Sequence, residues 1–202
     1  GTTDSAGGGG NLRGAGGGAG GLIFIPSWNV TGASSYAVTL GNGGGVSANS
    51  ATNGQNSTVV GGSKTLTALG GGHGGFGDVT NNASTGGSGG SFWYPTYTGA
   101  AATQPTNTSD GVTTYNSTGY GNAGGNSNAS APYGGGGGGA TSRGEHWNEG
   151  QRGGTGFNGN TYGLGSYGES GYFASGGTSA SHPGTNTNTT IGGGGAAYNN
   201  SS

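Results

Sequence analysis

The chain has 202 residues, of which 58 are glycine and only ten are charged, and its formal net charge is −2. Leucine, isoleucine, valine and phenylalanine together number 21, which excludes a conventional hydrophobic core because apolar burial is the main driving force of folding. The near-neutral charge argues against a charge-expanded disordered chain, and the absence of cysteine excludes disulfides and thiolate metal sites.

The charge pattern and the apolar runs also exclude two classes of partner. The four cations are spread along the chain and form no basic patch for phosphate groups, so we expect no nucleic acid partner. No run reaches the ~18 apolar residues of a transmembrane helix, so no membrane insertion is expected. Because the sequence contains no methionine, we interpret residues 1–202 as a single glycine-rich domain taken from a longer or processed chain.

Short β-strands are the regular elements that the side chains predict. Glycine destabilises a helix by about 1 kcal/mol per position relative to alanine, and no window shows apolar residues three and four apart, so no α-helix is predicted. Apolar and alternating residues instead predict a β-rich part over residues 22–69. A turn with positive φ is expected within it at residues 41–43, GNG. The expected strands lie at residues 22–25, 35–40, 57–60 and 64–69, the last two joined by Gly61 and Gly62.

The glycine runs predict a second kind of structure, polyglycine II rods with connecting loops, over residues 70–202. Consecutive glycines can adopt this extended helix, which has the three-residue turn of polyproline II and no internal hydrogen bonds. Such rods pack closely only where the facing residues lack Cβ, and each rod then satisfies the backbone N–H and C=O groups of its neighbours. The six-glycine run at 134–139 would form a rod of about 19 Å. We therefore expect packed rods, end loops and a chain that is mostly irregular by standard secondary-structure assignment.

Several glycine segments follow one another in an order that resembles a known family. They read GAGGGAGGL at residues 14–22, YAVTLGNGG at 36–44, LTALGGGHGG at 66–75, GYGNAGG at 119–125, GYFASGG at 171–177 and GGGGAAY at 192–198. In this order they resemble the glycine-rich domain of tailed-phage tail-fibre and appendage proteins, which are adhesin-like. The resemblance implies a lattice of packed polyglycine II rods and an extracellular location on a virion appendage.

Two loops are candidate contact surfaces. Residues 91–97, SFWYPTY, hold four aromatic side chains, and residues 143–152, RGEHWNEGQR, hold four of the ten charges. Aromatic rings on a rigid support stack on sugar faces and anchor protein interfaces. Two alternatives stay open: the rings cover one end of the bundle or pack on another subunit, and the charged segment is a solvated loop with internal salt bridges. The candidate surface and glycan contacts are Trp93, Tyr94, Tyr97, Glu145, His146 and Trp147.

No motif for catalysis, a cofactor or a metal rises above chance. The segment GGGAGG at 16–21 matches the glycine pattern of dinucleotide-binding folds, but no strand is predicted before it and no helix after it. His73, His146 and His182 lie in unrelated segments and lack the spacing of metal ligands. We therefore expect a protein that is not an enzyme and that has neither a cofactor nor a metal site.

Asn-X-Ser/Thr triplets are glycosylation acceptors if the chain is a eukaryotic secreted protein. In a phage or bacterial protein they would indicate only polarity. The triplets begin at Asn29, Asn56, Asn82, Asn107, Asn116, Asn128, Asn188, Asn199 and Asn200.

Together these features predict an extracellular scaffold, a rigid fibre or appendage domain that presents loops to a host surface. Its expected partners are further copies of itself and a host-surface glycan or protein. One alternative is a self-assembling subunit of a secreted extracellular filament, carrying N-glycans if the producer is eukaryotic. A second alternative is ice binding by a threonine face, against which the threonines show no regular spacing.

Overall fold

The structure, a computed structural model, describes residues 14–30, 32, 35–47, 50–75, 82–93, 97–106, 108–115, 118–128, 133–179 and 194. These residues contain no α-helix, and their regular elements are short strands and one turn of 3-10 helix at Asn160–Tyr162. The strands are β1 (Leu22–Phe24), β2 (Ala37–Thr39), β3 (Val46–Ser47), β4 (Ser50–Ala51), β5 (Ser57–Gly61), β6 (Lys64–Ala68), β7 (Thr108–Ser109), β8 (Thr114–Tyr115), β9 (Thr118–Tyr120), β10 (Phe157–Asn158) and β11 (Tyr172–Phe173). All the strand pairings are antiparallel.

Residues 134–139, which we call the central rod, show how the irregular part is built. The N–H groups of Gly136 and Gly139, three residues apart, donate to carbonyl oxygens of the segment 142–145 at 2.9 and 3.0 Å. The two N–H groups between them donate to two other segments at 2.8 and 2.9 Å. Successive N–H groups therefore point in three directions with a period of three residues, the period of the polyproline II type of helix.

The carbonyl groups of the central rod repeat the same period in three further directions. Those of Gly135 and Gly138 accept the N–H groups of Gly16 and Ala19, at 3.1 and 2.9 Å. The two carbonyls after Gly135 accept from two other segments at 2.7 and 2.8 Å. Six segments thus surround the central rod, which is the packing of polyglycine II. They are residues 14–21, 86–91, 121–126, 142–145, 151–155 and 174–179.

Glycine is required in the central rod because neighbouring backbones approach too closely for a side chain. A Cβ added at any of residues 136–139 would lie less than 3.0 Å from a backbone carbonyl oxygen of an adjacent rod. Alanine occupies positions with more room, as at Ala15 and Ala19, which are both buried. The buried serines are bonded: Ser91 Oγ donates to the carbonyl of Gly125 at 2.6 Å and accepts the N–H of Gly135 at 3.0 Å. The interior is therefore made largely of backbone and small polar groups.

The predicted β-rich part is present. Strands β2, β5 and β6 form a three-stranded sheet in the order β2-β5-β6, and β1 pairs with β9. The hairpin between β5 and β6 closes at Gly62, whose φ of 59° is in the left-handed region that glycine tolerates. Strands were expected only up to residue 69, but β7 to β11 lie beyond that boundary. Strand β7 pairs with β8 as a hairpin, β10 pairs with β11, and β9 pairs with β1 at the start of the β-rich part.

The expected turn with positive φ at residues 41–43 is wrong. None of these residues has a positive φ, and residues 41–45 run as an extended rod beside residues 52–56, where the N–H of Gln55 donates to the carbonyl of Asn42 at 2.9 Å. A Cβ added at Gly41 would lie less than 3.0 Å from the carbonyl oxygen of Gln55. Glycine serves close approach here, and the chain reverses in the β3–β4 hairpin instead.

A buried carboxylate joins strand β6 to the β7–β8 hairpin and to the segment that carries Trp28. Asp110 accepts hydrogen bonds from Trp28 Nε1 (2.9 Å), from the backbone N–H groups of Val112 (3.0 Å) and Thr113 (2.8 Å), and pairs with Lys64 Nζ (3.1 Å). Burial by itself would raise the pKa of the Asp110 carboxyl, but these donors outweigh it, and the pKa lies well below its ordinary value. The carboxylate is therefore charged at neutral pH and holds the three segments together.

The described residues include no helix with the length and apolarity needed to cross a membrane.

The close approach of the rods predicts that Gly137→Ala destabilises the protein far more than Gly43→Ala. A methyl group at Gly137 would collide with the backbone of residues 17 and 18, whereas at Gly43 it meets no atom within 4 Å. We expect a loss of about 3 kcal/mol for the first variant and less than about 1 kcal/mol for the second. Urea unfolding of both variants measures the difference, and equal stabilities would contradict the packed-rod description.

Candidate functional site

The two loops singled out in the sequence lie side by side in the structure. Residues 126 and 127 run between them. On one side Ser127 donates its N–H to the carbonyl of Tyr97 at 3.0 Å, and the N–H of Tyr97 donates to Ser127 Oγ at 3.1 Å. On the other side the N–H of Trp147 donates to the carbonyl of Asn126 at 3.0 Å, and the N–H of Asn126 donates to His146 Nδ1 at 2.7 Å. We call Tyr97, Asn126, Ser127, His146 and Trp147 the end platform.

The structure places the candidate contact residues unequally. Tyr97 is 38% exposed and its ring lies 4.9 Å from that of Phe92, while Glu145, His146 and Trp147 are half-buried. Trp93 is only 6% exposed, so its ring does not form an open surface as expected but is removed from water at the end of the rod 86–91. Tyr94 lies outside the described residues.

An ion pair closes the charged loop 143–152, as one of the two interpretations of its sequence expected. Arg143 binds Glu149 through two hydrogen bonds of 2.9 Å, and Glu149 Oε2 also accepts the backbone N–H of His146 at 2.8 Å. The Arg143 guanidinium and then the N–H of His146 lower the pKa of Glu149 from 4.5 to about 2. The same pairing with Glu149 raises the pKa of Arg143.

Backbone and side-chain hydrogen bonds also fix residues 150–152, where the loop rejoins the bundle. Gly150 and Gln151 have φ of 123° and 62°, so the chain reverses through two left-handed residues. Gln151 Nε2 donates to the carbonyl of Trp147 at 3.0 Å. The carbonyl of Glu145 accepts the N–H of Gly136 in the central rod, and the N–H of Glu145 donates to the carbonyl of Arg152, both at 2.9 Å. The half-buried rings of His146 and Trp147 are therefore carried by a loop whose backbone conformation is fixed by these hydrogen bonds.

The end platform has the chemistry of recognition. The Nδ1 atom of His146 accepts a hydrogen bond from the N–H of Asn126, so the neutral ring carries its proton on Nε2 and can donate it to a ligand. Two aromatic rings, Tyr97 and Trp147, supply faces for stacking. Among the residues that the structure describes, no three His, Asp or Glu side chains are grouped to hold a metal ion.

Sequence reasoning missed Asn126 and Ser127, the residues that bring the two loops together. They stand in the segment GGNSN, which has the same composition as the spacers elsewhere in the chain. Their role depends on backbone atoms that contact residues about thirty positions before them and twenty after them, so no local pattern indicates it.

The asparagines of the Asn-X-Ser/Thr triplets are placed differently along the surface. Asn29, Asn56 and Asn82 are exposed, and Asn128 is half-buried. Asn56 Oδ1 accepts the N–H of Gly70 at 2.9 Å, so this amide already has a structural role. The other five, Asn107, Asn116, Asn188, Asn199 and Asn200, lie outside the described residues.

Comparison with protein families agrees with this description. A family model for the glycine-rich domain matches residues 4–202, and the chain belongs to that family. Comparison with curated proteins and with solved structures finds no match. The family assignment establishes the glycine-rich character of the whole matched region.

The ion pair predicts a pH-dependent loop. The pKa of Glu149 is lower in the folded chain than its ordinary value, so the pair's stabilisation is complete above about pH 4.5 and is lost as the pH falls towards 2. Because both side chains are partly exposed, we expect Glu149→Gln to cost no more than about 1 kcal/mol of global stability. We expect the same substitution to accelerate amide hydrogen exchange at His146, measured by NMR.

Glu169→Gln, a change of an exposed carboxylate outside this loop, is the control and should leave exchange at His146 unchanged. Equal exchange in all three proteins at neutral pH would show that the ion pair does not hold the loop.

Proposed function

We propose that the protein is a non-enzymatic, extracellular display scaffold of the kind found in tailed-phage tail fibres and appendages, and that its end platform contacts a host-surface glycan or protein. The observation that carries the proposal is the convergence of Tyr97, His146 and Trp147 on one short segment of the packed bundle. The resemblance of the glycine segments to those of tail-fibre proteins supports the location and the class.

The mechanism follows from the rigidity of the bundle. Binding costs free energy when loops and side chains lose freedom, and this cost is smaller for groups that are already held in place. Tyr97 and Trp147 are fixed through backbone hydrogen bonds to residues 126 and 127, and the Arg143–Glu149 pair closes the loop that carries Trp147. The rings can therefore stack on a sugar or anchor a protein contact at low entropic cost.

Alanine substitution of the platform rings tests the proposal. We expect Tyr97→Ala and Trp147→Ala each to weaken binding to a glycan array or to host cells about fivefold, since one aromatic contact contributes on the order of 1 kcal/mol. Val112→Ala, which changes a more exposed apolar residue outside the platform, is the control and should bind as the unchanged chain does. Full binding by both folded platform variants would refute the assignment.

A second candidate, a self-assembling filament subunit, is favoured by one edge of the sheet. Strand β2 lies at that edge and its three residues are exposed. Val38 and Leu40 are 64% and 80% exposed, and they line an apolar groove of about 330 Å³ between the sheet and residues 23–28. Exposed apolar edge strands are templates for pairing with another chain, here a second copy.

Electron microscopy and light scattering of the purified chain separate the two candidates. If β2 pairs between copies, the chain forms filaments that Val38→Lys abolishes, because a charge on an edge strand opposes such pairing. Val112→Lys, with the same charge elsewhere on the surface, should then leave the filaments intact. Discrete particles at all concentrations would exclude the filament and agree with a display scaffold.

A further inference from the structure

Residues 157–173 form a separate feature, which we call the hairpin lobe. The lobe leaves the rod 151–155 and returns into the rod 174–179. Its base is the β10–β11 pair, in which Phe157 faces Phe173 and Asn158 faces Tyr172. Between the two strands the chain makes the 3-10 turn and a series of tight turns whose residues are almost all exposed.

Two asparagine side chains fix the shape of the hairpin lobe. Asn158 Oδ1 accepts both the backbone N–H and the side-chain N–H of Asn160, each at 2.9 Å. Asn160 Nδ2 also donates to the carbonyl of Ser170 at 3.1 Å. The N–H of Gly159 donates to the carbonyl of Gly171 at 2.8 Å. The start and the end of the turn region are therefore tied directly to each other.

Left-handed residues restrict the lobe further. Gly163, Gly168 and Gly171 have φ of 75°, 62° and 82°, and Ser170 has φ of 54° although it carries a side chain. A non-glycine residue in this region is strained, and such strain persists where the surrounding structure determines the conformation and is frequent at binding sites. The lobe is thus an exposed loop with a preset backbone.

Tyr162 is the first of two rings that this backbone presents. Its ring centroid lies 4.2 Å from that of Phe24 and 5.8 Å from that of Phe157, nearly parallel to the latter at 16°. Phe157 is buried and its ring also lies 4.9 Å from that of Tyr120. This aromatic cluster supports Tyr162 from beneath, yet 53% of the residue remains exposed.

Tyr167 is the second ring. It is 65% exposed, and its backbone is held by hydrogen bonds to Leu164 (3.0 Å) and from Gly171 (2.9 Å). Apart from Glu169, the lobe has no charged residue, and its exposed side chains are otherwise those of asparagine, serine, threonine and tyrosine. The surface therefore combines two open aromatic rings with neutral hydrogen-bonding groups.

We propose that the hairpin lobe is a second binding site, separate from the end platform, for neutral saccharides whose ring faces stack on Tyr162 and Tyr167. The choice of a saccharide as the ligand rests on the proposed function, whereas the location of the site in the lobe does not. Pyranose rings have an apolar face that suits tyrosine and a rim of hydroxyl groups that suits amide and hydroxyl side chains. The preset backbone lowers the entropic cost of binding.

A neutral sugar fits this surface better than a protein does. Protein interfaces are centred on fully desolvated aromatic and arginine anchors within a continuous apolar patch. The lobe has no arginine, and its aliphatic side chain, Leu164, is half-buried against Gly159. Its tyrosines are instead surrounded by polar residues, so the exposed apolar area is limited to the rings themselves.

Titration of the full chain with three neutral oligosaccharides, cellohexaose, N-acetylchitohexaose and mannohexaose, tests the proposal. We expect at least one of them to bind with a Kd of about 1 mM or tighter, measured by NMR or calorimetry. Tyr167→Ala should weaken this binding about tenfold, and Tyr167→Phe, which keeps the ring, should retain most of it. Tyr167 is highly exposed, so its substitution does not threaten the fold. Tyr162→Ala is the second variant, with its folding checked by circular dichroism.

The platform variant Trp147→Ala separates this site from the proposed function. If Trp147→Ala still binds the saccharide and Tyr167→Ala does not, the binding site is the hairpin lobe. This conclusion holds whether or not the end platform binds a host surface. Three results would overturn the inference. No neutral hexasaccharide binds, the affinity is the same in Tyr167→Ala as in the unchanged chain, or hexagalacturonate, a charged hexasaccharide, binds as tightly as the neutral ones. Loss of host-cell binding in Tyr167→Ala without any saccharide binding would assign the lobe to a protein partner and refute the sugar.

Discussion

The structure depends on one interaction, the hydrogen bond between the backbone N–H of one glycine rod and the backbone carbonyl of the next. In the central rod these bonds point in six directions with a period of three residues, and neighbouring rods are so close that a single Cβ would collide with a carbonyl oxygen. Hydrogen bonding of this density satisfies the buried backbone groups, so the protein can have an ordered interior with few buried apolar side chains. Even the buried serines contribute to it, since their hydroxyls bond to rod carbonyls.

The exposed features are built on this bundle in two different ways. The end platform is an extension of the backbone network, because the N–H and carbonyl groups of residues 126 and 127 continue from the rod 121–126 to the loops on either side. The hairpin lobe instead rests on side chains, with Phe24, Tyr120 and Phe157 supporting Tyr162. Apolar residues are scarce in this chain, and outside the sheet an aromatic cluster supports this lobe where the rods do not.

The division between strands and rods follows the chemistry of the residues. Segments with few glycines pair as strands β2, β5 and β6. A pleated sheet accommodates their side chains because it directs the Cβ atoms out of the plane of the sheet and away from the neighbouring backbone. Rods occur where Cβ atoms are missing, and for this reason residues 41–45 join the rods although they lie within the β-rich part. A segment such as GNG forms a turn only when the residues on its two sides pair with each other as strands. Here Asn42 lies beside Gln55 of another segment, and no turn forms.

The sequence by itself determined the type of structure: no helix, short strands in residues 22–69 with a hairpin at Gly62, and glycine runs that form rods. Internal salt bridges in loop 143–152 were one of two interpretations of its four charges, and the structure identifies the pair as Arg143 with Glu149. Only the tertiary structure decided which rods are neighbours, that residues 126 and 127 unite the two candidate loops, that Trp93 is buried and that Tyr162 is backed by an aromatic cluster. The physical reason is that glycine runs carry no side chain to distinguish one partner from another. Which N–H meets which carbonyl is set by the lengths and courses of the connecting loops, and these are properties of the whole chain.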